Sequence, residues 1–258
     1  MMRAFKSEKL GYGLIAITII LVLIWIVTTE PLAQDLDYHN FNDTREILGI
    51  PNFWNVVSNL PFLIVGVLAL YKIHITNQLT IVKEFKAVYL FLFSGLSFVA
   101  IGSGYYHLQP DNHSLVWDRL PMTVAFMALF SILIAEYISV SFAKVLFKPA
   151  IVAGILSVAY WYISESRDAG DLRFYFLIQF LPMLLAPLIM IFFSSRFGKT
   201  QAYWWLLFFY VLAKVFEEFD EQIYSALGFM SGHTLKHLAA ALGFYILLLA
   251  YEKRSSIK

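Results

Sequence analysis

Long apolar runs, separated by short polar segments, make up most of this 258-residue chain. A run of about 20 apolar residues can cross a bilayer as a helix, and a helix satisfies its own backbone in lipid. The fifth run is short and the seventh contains charged residues. The pattern predicts an all-α polytopic membrane protein with eight spans, at 11–28, 54–71, 87–106, 118–139, 149–164, 174–194, 201–218 and 233–251.

The composition agrees with a membrane protein, because 60% of the residues are hydrophobic and only 14% are charged. Soluble domains contain about 25% charged residues. The chain has no cysteine, which excludes disulfide bonds and thiolate metal ligands. A bound metal must therefore use His, Asp, Glu or Asn. No basic cluster suggests nucleic acid, so we expect no nucleic-acid partner.

The first apolar run is longer than the core of a signal peptide, and no small-x-small cleavage site follows it. We therefore expect residues 11–28 to be a retained transmembrane helix. Because no organelle signal is visible and the chain is compact and lacks extended tails, we also expect a bacterial inner membrane.

Positive charge is distributed unequally between the two sides that eight spans would create. One side carries only four basic residues, Arg45, Arg119, Arg167 and Arg173, and the other side carries most of the rest. By the positive-inside rule, both termini are expected in the cytoplasm, which requires an even number of spans. The positive side carries thirteen residues: Arg3, Lys6, Lys9, Lys72, Lys83, Lys86, Lys144, Lys148, Arg196, Lys199, Lys253, Arg254 and Lys258.

Three histidines are expected at the same, non-cytoplasmic, end of the bundle. His107 closes an outward-running span, and His233 and His237 begin an inward-running one. The His-x-x-x-His spacing places two imidazoles on one helix face, one turn apart. Three nitrogen ligands leave the fourth tetrahedral position open, as in catalytic zinc sites. The sequence therefore predicts one Zn²⁺ held by His107, His233 and His237.

Ser103 and Asp118 are the residues expected to act beside this metal. Ser103 precedes His107 by one helical turn, and Asp118 is predicted to open the next helix after a ten-residue loop, 108–117. A carboxylate there could transfer protons during hydrolysis, and a serine hydroxyl could stabilise an oxyanion. The alternatives are a serine bonded to its own helix, and an Asp118 that caps a helix or pairs with Arg119.

These residues resemble the alkaline ceramidase family, whose superfamily also contains adiponectin/progestin-type receptors and hemolysin III-like proteins. The resemblance covers about residues 37–251 and is carried by 53–60, by Gly102-Ser103 through His107 to Asp118-Arg119-Leu120-Pro121-Met122, and by Ser231-Gly232-His233 to His237. It implies a seven-helix domain at 31–258, preceded by an extra helix at 1–30. It also implies hydrolysis of the amide of ceramide, or of a related N-acyl lipid, to a sphingoid base and a fatty acid.

The resemblance further implies a possible calcium site before the first core helix, at Asp37, Asn40, Asn42 and Asn52. Asn40 and Asn52 stand where the family has glutamates, and fewer carboxylates predict weaker binding of a hard cation. A polar capped loop is the alternative. Lys236 also departs from the family, which favours an aromatic residue between the paired histidines. Its charge needs water or an acidic neighbour, which the cluster Glu217, Glu218, Asp220 and Glu221 at the same membrane face could supply.

Two other functions fit the same pattern less well. A receptor-like or hemolysin III-like protein would use zinc mainly to stabilise the bundle. A transporter that uses intramembrane His and Asp as a proton relay would be expected to show internal repeats and broken helices, and the apolar pattern of this sequence indicates neither. The exact lipid, its chain length and the oligomeric state stay open.

Overall fold

The structure is a computed structural model that describes residues 7–257, so Arg3, Lys6 and Lys258 of the predicted positive side lie outside the described residues. The described chain is a bundle of α-helices. Their bounds are α1 Glu8–Thr28, α2 Phe53–Val57, α3 Leu60–His74, α4 Lys86–Leu108, α5 Asn112–Tyr137, α6 Val140–Glu165, α7 Arg173–Phe192, α8 Gln201–Glu218, α9 Asp220–Leu227 and α10 Gly232–Lys253.

The prediction of a polytopic helical membrane protein is confirmed in its coarse form. Seven helical segments are long and apolar enough to cross a membrane, with α2 and α3 counted as one segment, Phe53–His74. The remaining predicted span, 201–218, is the helix α8. It is 18 residues long and carries three charged residues, Lys214, Glu217 and Glu218, whereas each of the seven contains an apolar 18-residue stretch with no more than 2.

Two predicted boundaries are wrong because helix-capping residues were not recognised. The fifth helix is not short; α6 begins at Val140, after Ser139 caps it by accepting from the backbone N–H of Phe142. The predicted loop 108–117 is mostly helix, because Asp111 and Ser114 form a capping box at the start of α5. Asp118 therefore lies in the second turn of α5 and does not cap it.

α4 and α5 form the centre of the bundle and pack closely because α4 presents glycines to α5. A side chain at Gly95 would press against the backbone of Ala125, and one at Gly102 would collide with the carbonyl of Trp117. That carbonyl lies one turn before Pro121, which has no N–H to donate to it. Small residues at such contacts are typical of membrane helix pairs.

The segment Phe53–His74 is broken at Ser58 and Asn59, which separate α2 from α3. Pro61 stands in the first turn of α3, where its missing N–H is tolerated. At the break, the Asn55 carbonyl accepts from the side chains of Ser58 and Asn59. All three residues are buried in the bundle interior.

α1 lies at the periphery of the bundle and packs against α7. Gly11 allows the approach, because a side chain there would meet Phe192 and Phe193. The guanidinium of Arg173 donates to the carbonyls of Ile26 and Thr29, which tethers the end of α1. Most of α1 remains exposed, as expected for a helix that faces lipid.

A buried ion pair closes the end of the bundle opposite His107. Arg254 donates to both carboxylate oxygens of Glu136, at 2.7 and 2.8 Å, and Tyr89 donates to the same carboxylate at 2.6 Å. Glu136 is fully buried and Arg254 is 7% exposed. Arg254 also donates to the carbonyl of Thr80, so the pair joins α4, α5, α10 and the connection before α4.

We predict that Glu136→Ala strongly destabilises the protein, because it leaves the Arg254 charge buried and unpaired. Losing one partner of a buried pair costs about 3–5 kcal/mol. Lys72→Ala is the matched control, since it breaks the more exposed Lys72–Glu252 pair at the same end, and such pairs contribute about 0–1 kcal/mol. Thermal unfolding in detergent measures both, and equal losses of Tm would contradict the role given to the buried pair.

Candidate metal centre

His107, His233 and His237 meet in the interior, although they come from two helices. Their ring centroids form a nearly equilateral triangle, with separations of 4.9, 5.0 and 5.0 Å. One ligand nitrogen from each lies within 4.8 Å of the others, and all three residues are buried. The prediction that they lie together at one end of the bundle is confirmed.

Two nitrogen atoms of the trio have no hydrogen-bond partner in the described protein. Nδ1 of His107 and Nε2 of His233 are buried without a hydrogen-bond partner. A buried polar atom without a partner costs free energy, and coordination of a cation would remove that cost at both nitrogens. Within residues 7–257, this trio is the only group of three or more His, Asp or Glu side chains close enough to share an ion.

His237 is oriented by the polar residues at the break between α2 and α3. Its Nδ1 lies 2.8 Å from the Ser58 hydroxyl, and that hydroxyl donates to the Asn55 carbonyl at 3.2 Å. Ser58 can therefore accept from a protonated Nδ1, and in that tautomer the lone pair of His237 is on Nε2. Hydrogen bonds of this kind fix the tautomer and orientation of metal-binding histidines.

The start of α10 is held in place by several contacts around His233. Ser231 caps the helix by accepting from the backbone N–H of Thr234, and the Thr234 hydroxyl donates to Asn55 at 2.9 Å. The carboxylate of Asp220 accepts from the backbone N–H of His233 at 2.5 Å. A carboxylate at a helix N-terminus is electrostatically favourable, so Asp220 fixes the turn that presents His233.

Phe41, from the connection between α1 and α2, covers the histidines. Its ring centroid lies 4.7 Å from that of His107 and 4.6 Å from that of His233. Phe41 is itself 8% exposed. The trio is therefore shielded on this side by an aromatic ring.

Ser103 and Asp118 face each other where α4 and α5 make their closest contact. Both are buried, and the Ser103 side chain lies near enough to the Asp118 carboxyl group to interact with it electrostatically. Ser97, Ser131 and Ser157 show the alternative behaviour, because each donates to a carbonyl of its own helix. The alternative ion pair between Asp118 and Arg119 does not form either, since Arg119 donates to Gln34 at 2.6 Å.

A cavity of about 340 Å³ lies beside the histidine trio and is lined by both Ser103 and Asp118. Its polar end contains Ser103 and Asp118 together with His237, the one histidine of the trio that lines it. Lys236 also lines this end, and the expected acidic neighbour is Glu217, 2.9 Å away. Aliphatic and aromatic side chains line the remainder, among them Leu96, Phe126, Leu129, Leu206 and Phe244.

The four calcium candidates do not share a common contact. Asn40 donates to the Asp37 carboxylate at 3.0 Å, whereas Asn42 donates to Asp220 at 2.8 Å. Asn52 adopts a left-handed conformation, with φ of 48°, and donates to the carbonyl of His107 at 2.8 Å. Asn42 and Asn52 therefore act as links between the connecting segment and the histidine helices.

No family model matches this chain, and no curated protein matches it significantly. What is shown of the site is therefore its geometry: three buried histidines that could hold a metal ion in a protein with membrane-spanning helices.

The residues that support the trio were not predicted individually. Asn55, Ser58 and Asn59 had a visible signal, because three polar residues spaced at i, i+3 and i+4 interrupt an apolar helix. Phe41 and Asp220 had none, since an aromatic residue in a loop and an acidic residue at a helix end are common.

We predict that His237→Ala removes the bound metal from the purified protein, because two histidines alone cannot complete the site. Ser58→Ala should weaken metal affinity by about 10- to 100-fold, the usual effect of losing a residue that orients a ligand. Elemental analysis and competition with a chelator measure both effects. His113→Ala is the control, since His113 is exposed and contacts Tyr162; normal metal content in His237→Ala would refute the assignment.

Proposed function

We propose that this protein is a zinc-dependent membrane amidohydrolase that cleaves the N-acyl amide of ceramide or a related lipid. One observation carries the proposal: the buried histidine trio adjoins a cavity with Asp118 and Ser103 at its polar end and an apolar interior beyond them. This shape suits an amphipathic substrate whose amide lies near the metal and whose acyl chain occupies the apolar part. The resemblance to alkaline ceramidases supports the same chemistry.

The histidines would hold the ion through Nδ1 of His107, Nε2 of His233 and Nε2 of His237. Zinc bound there would act as a Lewis acid and make hydroxide available near neutral pH. In amide hydrolysis, the oxygen of water forms a bond to the acyl carbon, and the carbon–nitrogen bond breaks. The water proton must reach the departing amine nitrogen.

Asp118 is the residue placed to carry that proton. It is buried beside the cavity and has no arginine or lysine within ion-pairing distance among the described residues. It therefore remains able to accept a proton and donate it again. The Ser103 side chain lies close to this carboxyl group in the free protein. Once substrate is bound, the Ser103 hydroxyl can donate to the oxygen of the acyl group.

A mainly structural zinc, as in a receptor-like or hemolysin III-like protein, is the alternative. The observation that favours it is the coverage by Phe41, together with the absence of His107 and His233 from the cavity lining. The two functions differ in one measurable respect. Only the enzyme releases fatty acid from an N-acyl lipid, and a zinc chelator should abolish this release.

We predict that Asp118→Asn retains zinc and loses turnover, because the amide keeps the shape but cannot carry a proton. Ser103→Ala should lower the rate less, by about 100- to 1,000-fold, the typical cost of one oxyanion donor. Fatty-acid release from a panel of N-acyl lipids measures both, and Ser97→Ala, whose hydroxyl bonds to its own helix, is the control. Wild-type turnover by Asp118→Asn would exclude the proton-transfer role.

We also propose that all eight helices predicted as spans cross the membrane, including α8. Both termini would then be cytoplasmic, and the cavity would lie toward the non-cytoplasmic side of a bacterial inner membrane. The support is the charge distribution: Lys72, Lys83, Lys144, Lys148 and Lys199 are all at the end opposite the histidines. Lipid would reach the polar end of the cavity from the outer leaflet.

Two serine substitutions test this orientation in a chain that lacks cysteine. Ser166 follows α6 at the histidine end, Ser255 follows α10 at the opposite end, and both are exposed. We predict that an impermeant maleimide labels Ser166→Cys in intact cells and labels Ser255→Cys only after lysis. The reverse pattern would invert the topology and place the cavity on the cytoplasmic side.

A further inference from the structure

Arg119 is a buried cation that the proposed chemistry does not use. Its side chain lines the cavity, and the residue is only 5% exposed. The guanidinium packs against Trp161 and Tyr175, with its carbon 4.1 and 4.6 Å from the two ring centroids. These aromatic contacts hold the guanidinium plane in one orientation.

The hydrogen bonds of Arg119 are incomplete. Nη2 donates to the side-chain oxygen of Gln34 at 2.6 Å, whereas Nη1 is buried without a partner. A buried charged group with an unused donor is costly unless a ligand supplies the acceptor. A negatively charged oxygen is the strongest acceptor for a guanidinium.

The other charges of the cavity do not neutralise Arg119. Glu217 is already shared by two lysines, with Lys214 at 2.6 Å and Lys236 at 2.9 Å. The cavity lining therefore contains three cationic side chains (Arg119, Lys214 and Lys236) and two carboxylates (Asp118 and Glu217). This excess of positive charge favours an anionic ligand over a neutral one.

We propose that Arg119 binds an acidic group on the lipid headgroup. The preferred substrate would then be an N-acyl lipid with a carboxylate or phosphate close to the amide, and not a headgroup that carries only hydroxyls. That the lipid is a substrate rests on the proposed function. Binding of an acidic headgroup by Arg119 does not require turnover. Arg119 adjoins Asp118 in α5, so a headgroup held by Arg119 would keep the amide at the polar end of the cavity.

Binding of non-cleavable lipids by the full-length protein tests the inference. Three ketone analogues, in which a methylene replaces the amide N–H, would share one acyl chain and differ only in a carboxylate, a phosphate or a hydroxymethyl headgroup. We expect at least one acidic analogue to bind about tenfold or more tightly than the neutral one, and the comparison of carboxylate with phosphate identifies the anion. Equal Kd values for all three would overturn the proposal.

Substitutions then assign the preference to Arg119. In the wild type, the neutral analogue should have a higher Kd than the acidic analogue, and Arg119→Gln should bring the ratio of these two Kd values close to one. Arg119→Lys should lower the ratio only partially, because lysine keeps the charge without the planar donors. Arg167→Gln is the control, since Arg167 is exposed at the same end of the bundle. An unchanged ratio in Arg119→Lys would overturn the assignment even if Arg119→Gln failed to fold.

Fatty-acid release from the matching amides separates this inference from the proposed function. Selective binding of an acidic headgroup without release from any amide would exclude the amidase and leave the anion site standing. Equal release from acidic and neutral amides, with equal binding of their analogues, would exclude the anion site and leave the amidase standing.

Discussion

The contact between Gly102 of α4 and the Trp117 carbonyl of α5 sets the spacing on which the whole site depends. Gly102 removes the side chain that would hold the helices apart. Pro121 leaves that carbonyl without its usual donor one turn later. Ser103 directly follows Gly102, and Asp118 directly follows Trp117, so the close approach of the two backbones brings these side chains together. A wider separation would leave two polar groups apart in a bundle where water is scarce.

The second requirement is that polar groups at membrane depth find partners inside the protein. The break between α2 and α3 supplies them for α10, because Asn55 accepts from Thr234 and Ser58 contacts His237. The connection before α2 contributes Asn42, which meets Asp220. The histidine end is therefore built from segments far apart in sequence. Its geometry belongs to the assembled bundle and not to any single helix.

Much of the fold could be predicted from the sequence because membrane helices satisfy their own backbone and expose apolar side chains. The same logic placed His107, His233 and His237 together, since alternating helix directions determine which ends are neighbours. Boundaries were predicted less well where caps decide them, as at Asp111 and Ser139.

An acidic partner for Lys236 was expected and is Glu217, but partnerships between polar residues farther apart in the sequence could not be predicted. Arg254 was counted as one more positive charge at the interface, but it pairs with a buried glutamate 118 residues earlier. Arg119 was considered as a partner of Asp118, but it donates to Gln34, 85 residues earlier. Hydrophobic periodicity records which face of a helix is apolar. It contains no information on which polar residue of another helix will lie opposite.

The Glu136–Arg254 pair has a consequence for how the molecule opens. One end of the bundle is closed by an ion pair that needs no ligand, whereas the other end is joined by hydrogen bonds around three histidines that could hold a metal ion. Regions of one protein can unfold locally with different free energies. The histidine end can therefore loosen and close while the opposite end stays assembled, so that the buried cavity beside the histidines can open without unfolding of the whole bundle.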